Sequence, residues 1–223
     1  MNTTEFYNEF NLVYNNLASN QAPGLDKYEI SVYLTKAQNM LIDSLYKDFE
    51  KSEEARKKLS SIVITAKLQD SMVSGDDHLY GGSKMYNLHN YDIRYVVNEK
   101  IKMSSNASMC IKEKFVDVQP VLHDEVDRIM RNPFRFNLRR ALRLDVSVDG
   151  DRYHEIISKD NHIDYYQIRY IKNPHPIILE ELASQGLSID GFNDASSGEL
   201  DYTLHRQIVE IAAKLAYADY KNA

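Results

Sequence analysis

Residues 119–179 read QPVLHDEVDRIMRNPFRFNLRRALRLDVSVDGDRYHEIISKDNHIDYYQIRYIKNPHPIIL and carry the clearest secondary-structure pattern of the chain. Every second residue over 142–148 is apolar, which is the period of a strand. The pair Asp149-Gly150 follows at once and is a strong signal for a two-residue hairpin turn. Residues 153–157 then lead back, so this stretch predicts a β-hairpin.

Both ends of the chain show helical spacing instead. Apolar residues over 6–17 recur at steps of 4, 3 and 4, the stripe of an amphipathic helix. A second stripe begins after Asp26, a good N-cap, and continues to residue 49. A third stripe covers 204–218, with Asp201 available as its cap. We therefore expect helices at both termini that need each other's apolar faces.

Strands and turns fill the middle of the chain. The segment 70–90 contains three glycines without a clear period, and an irregular loop of this length is uncommon unless it has a function, so we predict a contact arm there. Pro120 favours a helix start and Asn132-Pro133 favours its end. Further strands are predicted at 60–65, 91–103, 110–118 and 163–171, the second and third of them as a hairpin.

These patterns predict an α+β chain in which N- and C-terminal helices form a helical bundle and a β-rich antiparallel insertion projects from the middle. The predicted bundle comprises 1–59 together with 199–223. The predicted insertion comprises 60–198 and includes one helix at about 120–131.

Composition narrows the classes of function. The formal net charge is −6, which argues against tight, sequence-independent binding to duplex DNA, because that affinity comes from basic side chains on phosphates. Cys110 is the sole cysteine, so an intrachain disulfide and a four-cysteine zinc site are excluded. No run of about 18 apolar residues occurs, and the start lacks the pattern of a secretory signal. We expect assembly in the cytoplasm and no membrane partner.

The residues most suggestive of chemistry are His123, Asp124, His162 and Asp164. Adjacent residues of a helix, such as His123 and Asp124, point in different directions and cannot share one ion unaided. His162 and Asp164 lie on one face of a predicted strand, but the sequence nominates no third and fourth ligand. No phosphate-binding glycine loop or nucleophile-elbow motif occurs. We predict no catalytic, cofactor-binding or metal-binding residues.

Structural proteins of crAss-like phages that infect Bacteroides-type bacteria are resembled by five motifs: HDEVDRI (123–129), NPF (132–134), RRALRL (139–144), EII (155–157) and IRYIKNPHPIIL (168–179). The ending from Glu199 through the last helical stripe to Tyr220 is similar to the closing helix of tailed-phage connector proteins. They cover about half of the chain. The resemblance implies a head-to-tail connector or tail ring protein, of the portal-adaptor or tail-hub type. It also implies a helical bundle with a β-rich insertion.

The function implied by this resemblance is a non-enzymatic virion protein of the neck or tail, assembled in the host cytoplasm. Twelve copies would form a connector ring between the portal and the tail of a short-tailed phage and provide a conduit for DNA packaging and ejection. Its partners would be other copies of itself, the portal protein and neighbouring ring proteins, with transient, non-specific contact to duplex DNA in the lumen.

A ring subunit contacts its neighbours through two different patches. The one basic cluster, at 131–143, suits such a contact; phosphate binding or a solvated corner are the alternatives. Acidic residues such as Asp43, Asp48 and Glu50 are candidates for the opposite patch. The predicted subunit or ring contacts are Arg135, Arg139, Arg140, Arg143, Asp76, Asp77, His78, Tyr80, Tyr86 and Asp149.

Two other functions stay open at this point. One is a metal-dependent hydrolase or nuclease that uses His123, Asp124, His162 and Asp164. The other is an assembly chaperone or cargo protein that is lost from the mature particle.

Overall fold

The computed structural model describes residues 1–18, 23–70, 79–104, 113–159 and 162–222. It divides into two compact units: Met1–Ile62 with Pro174–Ala223, here the helical unit, and Val63–Asn173, here the sheet unit. The helices are α1 (Thr3–Leu17), α2 (Lys27–Lys47), α3 (Glu53–Lys58), α4 (Val126–Met130) and α5 (Tyr202–Asn222). The strands are β1 (Val63–Leu68), β2 (Lys84–Asn87), β3 (Ile93–Ser104), β4 (Glu113–Pro120), β5 (Arg140–Val148), β6 (Asp151–Ile157), β7 (Ile163–Lys172), β8 (Ile177–Ile178) and β9 (Ser196–Ser197).

Local polar contacts determine where the long helices begin. The side chain of Asp26 accepts a hydrogen bond from the backbone N–H of Glu29 at 2.7 Å, and Glu29 accepts one from the backbone N–H of Asp26 at 3.0 Å. This reciprocal pair satisfies two N–H groups that a helix start leaves unpaired. Asp201 accepts from the backbone N–H of Thr203 at 2.9 Å, just where α5 begins. The caps predicted at Asp26 and Asp201 are both present.

The helical unit is built from three long helices and a small sheet. Helices α1 and α2 both pack against α5, and α2 also packs against β8. Two hydroxyl groups of α2 contact the strand backbone: Thr35 Oγ1 accepts from the N–H of Ile177 at 3.1 Å, and Ser31 Oγ accepts from the N–H of Leu179 at 3.0 Å. These bonds satisfy backbone groups that would otherwise be buried without partners.

The predicted fold class, a bundle of terminal helices that carries a β insertion, is wrong, although the chain is α+β overall. The largest assembly of secondary structure is a seven-stranded sheet with the order β1-β7-β3-β4-β5-β6-β2. Helix α2 buries the polar side chains Ser31, Thr35 and Gln38, and Gln38 bonds to the backbone after β7. An apolar stripe in the sequence does not reveal such polar contacts. The predicted domain limits, 1–59 with 199–223 and 60–198, stay a prediction.

The sheet unit pairs its strands antiparallel, except that β4 and β5 are parallel. The antiparallel pairing predicted between 91–103 and 110–118 is found between β3 and β4, and the predicted hairpin β5–β6 is present. Asp149 has φ 52° and Gly150 has φ 91°, so both turn residues are left-handed, as a type I′ turn requires. The Asp-Gly pair is therefore the reason that β5 turns directly into β6.

Two predicted segments differ from the structure in detail. Pro120 ends β4 instead of beginning a helix, because the parallel pairing with β5 continues through Pro120, opposite Arg143. The helix predicted at about 120–131 is limited to α4. Within 70–90, residues 84–87 form β2 and pair with β6, so part of the predicted arm is an edge strand. Among the described residues, no helix combines the length and apolar character needed to cross a bilayer.

Candidate functional site

The basic segment 131–140 connects α4 to β5 and presents both charge and apolar surface. Phe134 is 89% exposed and Leu138 is 47% exposed, and Arg135, Arg139 and Arg140 are exposed beside them. Exposed apolar surface with a rim of polar or charged side chains marks a site of interaction. The segment is therefore the first candidate for a contact surface.

Local hydrogen bonds hold the backbone of this segment in place. Asn132 Oδ1 accepts from the backbone N–H of Phe134 at 3.0 Å, and Asn137 Oδ1 accepts from the backbone N–H of Arg139 at 2.8 Å. Such Asx turns fix the backbone without using a strand ladder. Phe136 is the inward anchor, since it belongs to the apolar cluster of α4, β5 and β6. The segment is thus an ordered turn that the side chain of Phe136 anchors to the apolar cluster.

The guanidinium groups of three arginines in this segment are available to another molecule. Within the described part of the chain, the guanidinium groups of Arg135, Arg139 and Arg140 form no ion pair. A shallow cavity of about 670 Å³ lies beside them, lined by Asn137, Leu138, Arg139 and Lys159. Cationic groups around an apolar floor favour a partner that carries carboxylates and apolar side chains.

Arg143, predicted with the same cluster, lies elsewhere. It is buried, pairs with Glu99 and places its Nε 3.2 Å from Asp145 Oδ1. The alternation of β5 brings it to the side opposite Leu142 and Leu144, and the burial pattern shows both sides of the strand covered at that point. Arg143 therefore supports the interior and is not part of the exposed corner.

A polar network surrounds this buried pair. His154 Nδ1 lies 3.0 Å from the hydroxyl of Tyr166, and His154 Nε2 lies 3.2 Å from Asp145 Oδ1. Burial, together with the nearby Arg143 and Arg152, lowers the pKa of His154 to about 3. Because a carboxylate only accepts, the neutral ring donates from Nε2 to Asp145. Burial also raises the pKa of Glu99, while Arg143 opposes that rise.

An open cavity of about 380 Å³ borders the network, lined among others by Leu88, Ile93, Arg152 and His154. Three of its lining groups contact one another, since Asp145 faces both Arg143 and His154. Charges that pair in this way hold an interior in one arrangement. The network is best understood as a structural support for the centre of the sheet.

The described part of the predicted contact arm is anchored to the sheet. The carboxylate of Glu155, fully buried, accepts from the backbone N–H of Tyr80 at 3.1 Å and from Ser83 Oγ. Tyr80 is half-buried and Tyr86 is fully buried, in ring contact with Tyr166. Asp149 is exposed at the tip of the β5–β6 hairpin. Asp76, Asp77, His78 and Cys110 lie outside the described residues.

The residues considered for metal chemistry do not form a cluster. His123 is exposed, and its Nε2 donates to the backbone carbonyl of Asp145 at 3.0 Å. In the ranges that the structure describes, no group of three or more His, Cys, Asp or Glu side chains is arranged to hold a metal ion. His162 lies directly before β7, and Asp164 is the second residue of the strand.

A comparison with protein families gives a match to the phage tail ring protein 3/4 model over residues 1–223. The chain belongs to this family. It is 35% identical over 225 residues to ring protein 3 of Bacteroides phage crAss001, covering 97% of this chain and 95% of that protein. It is 28% identical over 233 residues to ring protein 4/5 of the same phage, covering 99% and 94%. The resemblance to crAss-like phage tail ring proteins is confirmed.

Sequence patterns alone did not identify two features of the site. The exposure of Phe134 and Leu138 is one, because an apolar residue in a turn has no period that tells inside from outside. The other is a second surface of opposite charge at 180–194, which a local charge count would have found, since 180–205 contains six acidic residues and no Lys or Arg. Both features belong to segments between regular elements.

Proposed function

We propose that this chain is a non-enzymatic structural subunit of a phage virion and assembles into a ring in the neck or tail. The observation that carries this proposal is the match of the whole chain to a family of phage tail ring proteins. Two different ring proteins of one phage resemble it over nearly their full lengths.

We further propose twelve copies per ring, placed between the portal protein and the tail and in contact with neighbouring ring proteins. The exposed apolar side chains Phe115, Leu122 and Phe134 support a protein that buries surface on assembly. Of the predicted contact residues, Arg135, Arg139, Arg140 and Asp149 are exposed and stay in the proposal. Arg143 and Tyr86 are buried and leave it.

The ring would enclose a passage for DNA during packaging and ejection. A subunit charge of −6 favours this role, because an acidic lumen repels phosphate and lets duplex DNA pass without adhering. A lumen lined with Lys and Arg in an assembled particle would contradict this part of the proposal.

Quantitative mass spectrometry of purified virions, combined with electron cryo-microscopy of the neck and tail, tests the proposal. We expect the chain in mature particles as a closed ring with twelve copies per tail. Absence from mature particles would instead support an assembly chaperone. Presence in the capsid alone would contradict a tail ring.

A further inference from the structure

The net charge of the chain is divided unevenly between its two units. The helical unit contains 17 acidic and 10 basic residues, a formal charge of −7, whereas the sheet unit contains 16 acidic and 17 basic residues, a charge of +1; together they make −6. The most basic stretch of the sheet unit is 131–140, with four arginines and no acidic residue. The two units therefore carry surfaces of opposite sign.

The most acidic stretch of the helical unit is the segment 180–194, here the acidic loop. Glu181, Asp190 and Asp194 are exposed, and among the described residues none of the three forms an ion pair. Apolar side chains are exposed between them, with Leu187 at 37% and Phe192 at 42%. Charge and apolar surface alternate here, as they do in the basic segment.

The acidic loop is a defined structure that displays these side chains. Leu182 and Ile189 are buried and pack with Ile178 in an apolar cluster. The backbone N–H of Leu182 donates to the carbonyl of Asn193 at 2.8 Å, and Gly186, with φ 68°, ends a short 3₁₀ turn. Like the basic segment with Phe136, the loop has inward apolar anchors and outward charges, so little ordering is needed when a partner binds.

We infer that the basic segment 131–140 of one copy docks on the acidic loop 180–194 of the neighbouring copy in the ring. This inference rests on the proposed ring function. A closed ring is held together by two different surfaces per subunit, repeated head to tail. Phe134 and Leu138 would bury against Leu187 and Phe192 while the flanking arginines face carboxylates.

A second copy fits the basic segment better than DNA does. Phosphate backbones need cations and make no use of two exposed apolar side chains, and the whole chain is acidic. The acidic loop also fits better than the acidic residues predicted from sequence. Asp43 has an interaction within the chain, and Asp48 and Glu50 lie between Lys47 and Lys51.

The test is a pair of charge reversals in phage particles whose own copy of the gene is replaced. One variant carries Arg135→Glu and Arg139→Glu, and the other carries Glu181→Lys and Asp194→Lys. Both sets replace exposed side chains, so the melting temperature of each purified protein should match that of the wild type. Lys47→Glu with Lys214→Glu is the matched control for the first variant, since it changes the net charge equally at exposed sites of the helical unit.

Incorporation into virions, measured by quantitative mass spectrometry, should fall at least about tenfold for each reversal, because like charges then meet at every subunit contact. The control should incorporate like the wild type. Co-expression of the two reversed variants should restore incorporation. In a ring where the two variants alternate, each native basic segment meets a native acidic loop, and each reversed basic segment meets a reversed acidic loop.

Each alternative outcome has a separate meaning. If the wild-type chain is absent from virions, the proposed function fails. If the wild type is present and both reversed variants incorporate like the control, only the docking inference fails. If each variant fails and co-expression does not restore it, a second copy is not the occupant. Loss of salt-sensitive duplex binding in the arginine variant would then identify phosphate.

Discussion

The helical unit and the sheet unit stabilise their interiors in different ways. The buried polar side chains described in the helical unit are Ser31 and Thr35, which bond to the backbone of 177–179, and Gln38 and His205. None of them is an acid or a permanent cation, and burial lowers the pKa of His205. The sheet unit instead buries Glu99, Arg143 and Glu155. The stability of an apolar interior changes little with pH, whereas a buried charge is stable only when its partner is present. Removing one partner of a buried pair, or lowering the pH, is therefore expected to affect the sheet unit more.

The largest effect is expected when the buried ion pair loses one partner. Arg143→Met leaves the Glu99 carboxylate buried without its cation, which should lower the free energy of unfolding by about 3–5 kcal/mol. Urea denaturation measures the loss, and hydrogen exchange should localise it to β3 and β5. The double variant Arg143→Met with Glu99→Leu should recover much of the stability. A double variant as unstable as the single one would contradict a role through charge.

The helical unit should respond to lost volume in its core. Leu34, fully buried in α2, and Leu12, 59% exposed in α1, offer the same chemical change in two environments. Leu34→Ala should lower the free energy of unfolding by about 3 kcal/mol through lost apolar burial and the cavity left behind. Leu12→Ala should change it by less than about 0.5 kcal/mol. Equal effects in thermal denaturation would contradict the assignment of this core.

The smallest of the three effects is the dependence of stability on pH that His154 contributes in the sheet unit. The pKa of His154 is about 3 in the folded chain and near 6.5 when the chain is unfolded. Below pH 6.5 the unfolded chain therefore binds one more proton, so stability falls with pH down to about pH 3. The expected slope is at most about 1.4 kcal/mol per pH unit.

His154→Gln should remove this contribution. Urea denaturation of the wild type and the variant between pH 7 and pH 5 compares the two slopes before most carboxylates titrate. The variant should show the shallower dependence, and hydrogen exchange should report the difference in β6 and not in α5. Identical slopes would show that His154 does not titrate as its burial requires.

Regular elements were largely predictable because their patterns are local. The apolar stripe after Asp26 and the Asp149-Gly150 turn each specify one element through neighbours in sequence. The helix start predicted at Pro120 was wrong, because a residue without an N–H fits the end of a strand as well as the start of a helix. Strand β2 was missed because four residues among glycines show too short a pattern.

The candidate surface could be predicted only in part. Four arginines in ten residues identified the basic segment, yet Arg143, three residues further on, is interior. Its pairing with Glu99 joins positions 44 residues apart, and no local pattern reports such a contact. The exposure of Phe134 depends on Phe136 taking the inward position, which the packing of α4 against β5 and β6 decides.

The amino-acid sequence by itself determined the terminal helices, two hairpins, the acidic charge and the resemblance to ring proteins, because these depend on residue types and short-range spacing. The tertiary structure alone decided that a seven-stranded sheet dominates the fold, that charges lie inside it, and that two surfaces of opposite sign stand exposed. Strand order and burial depend on contacts between residues that are far apart in the chain. These contacts contribute to stability only after folding has brought the residues together.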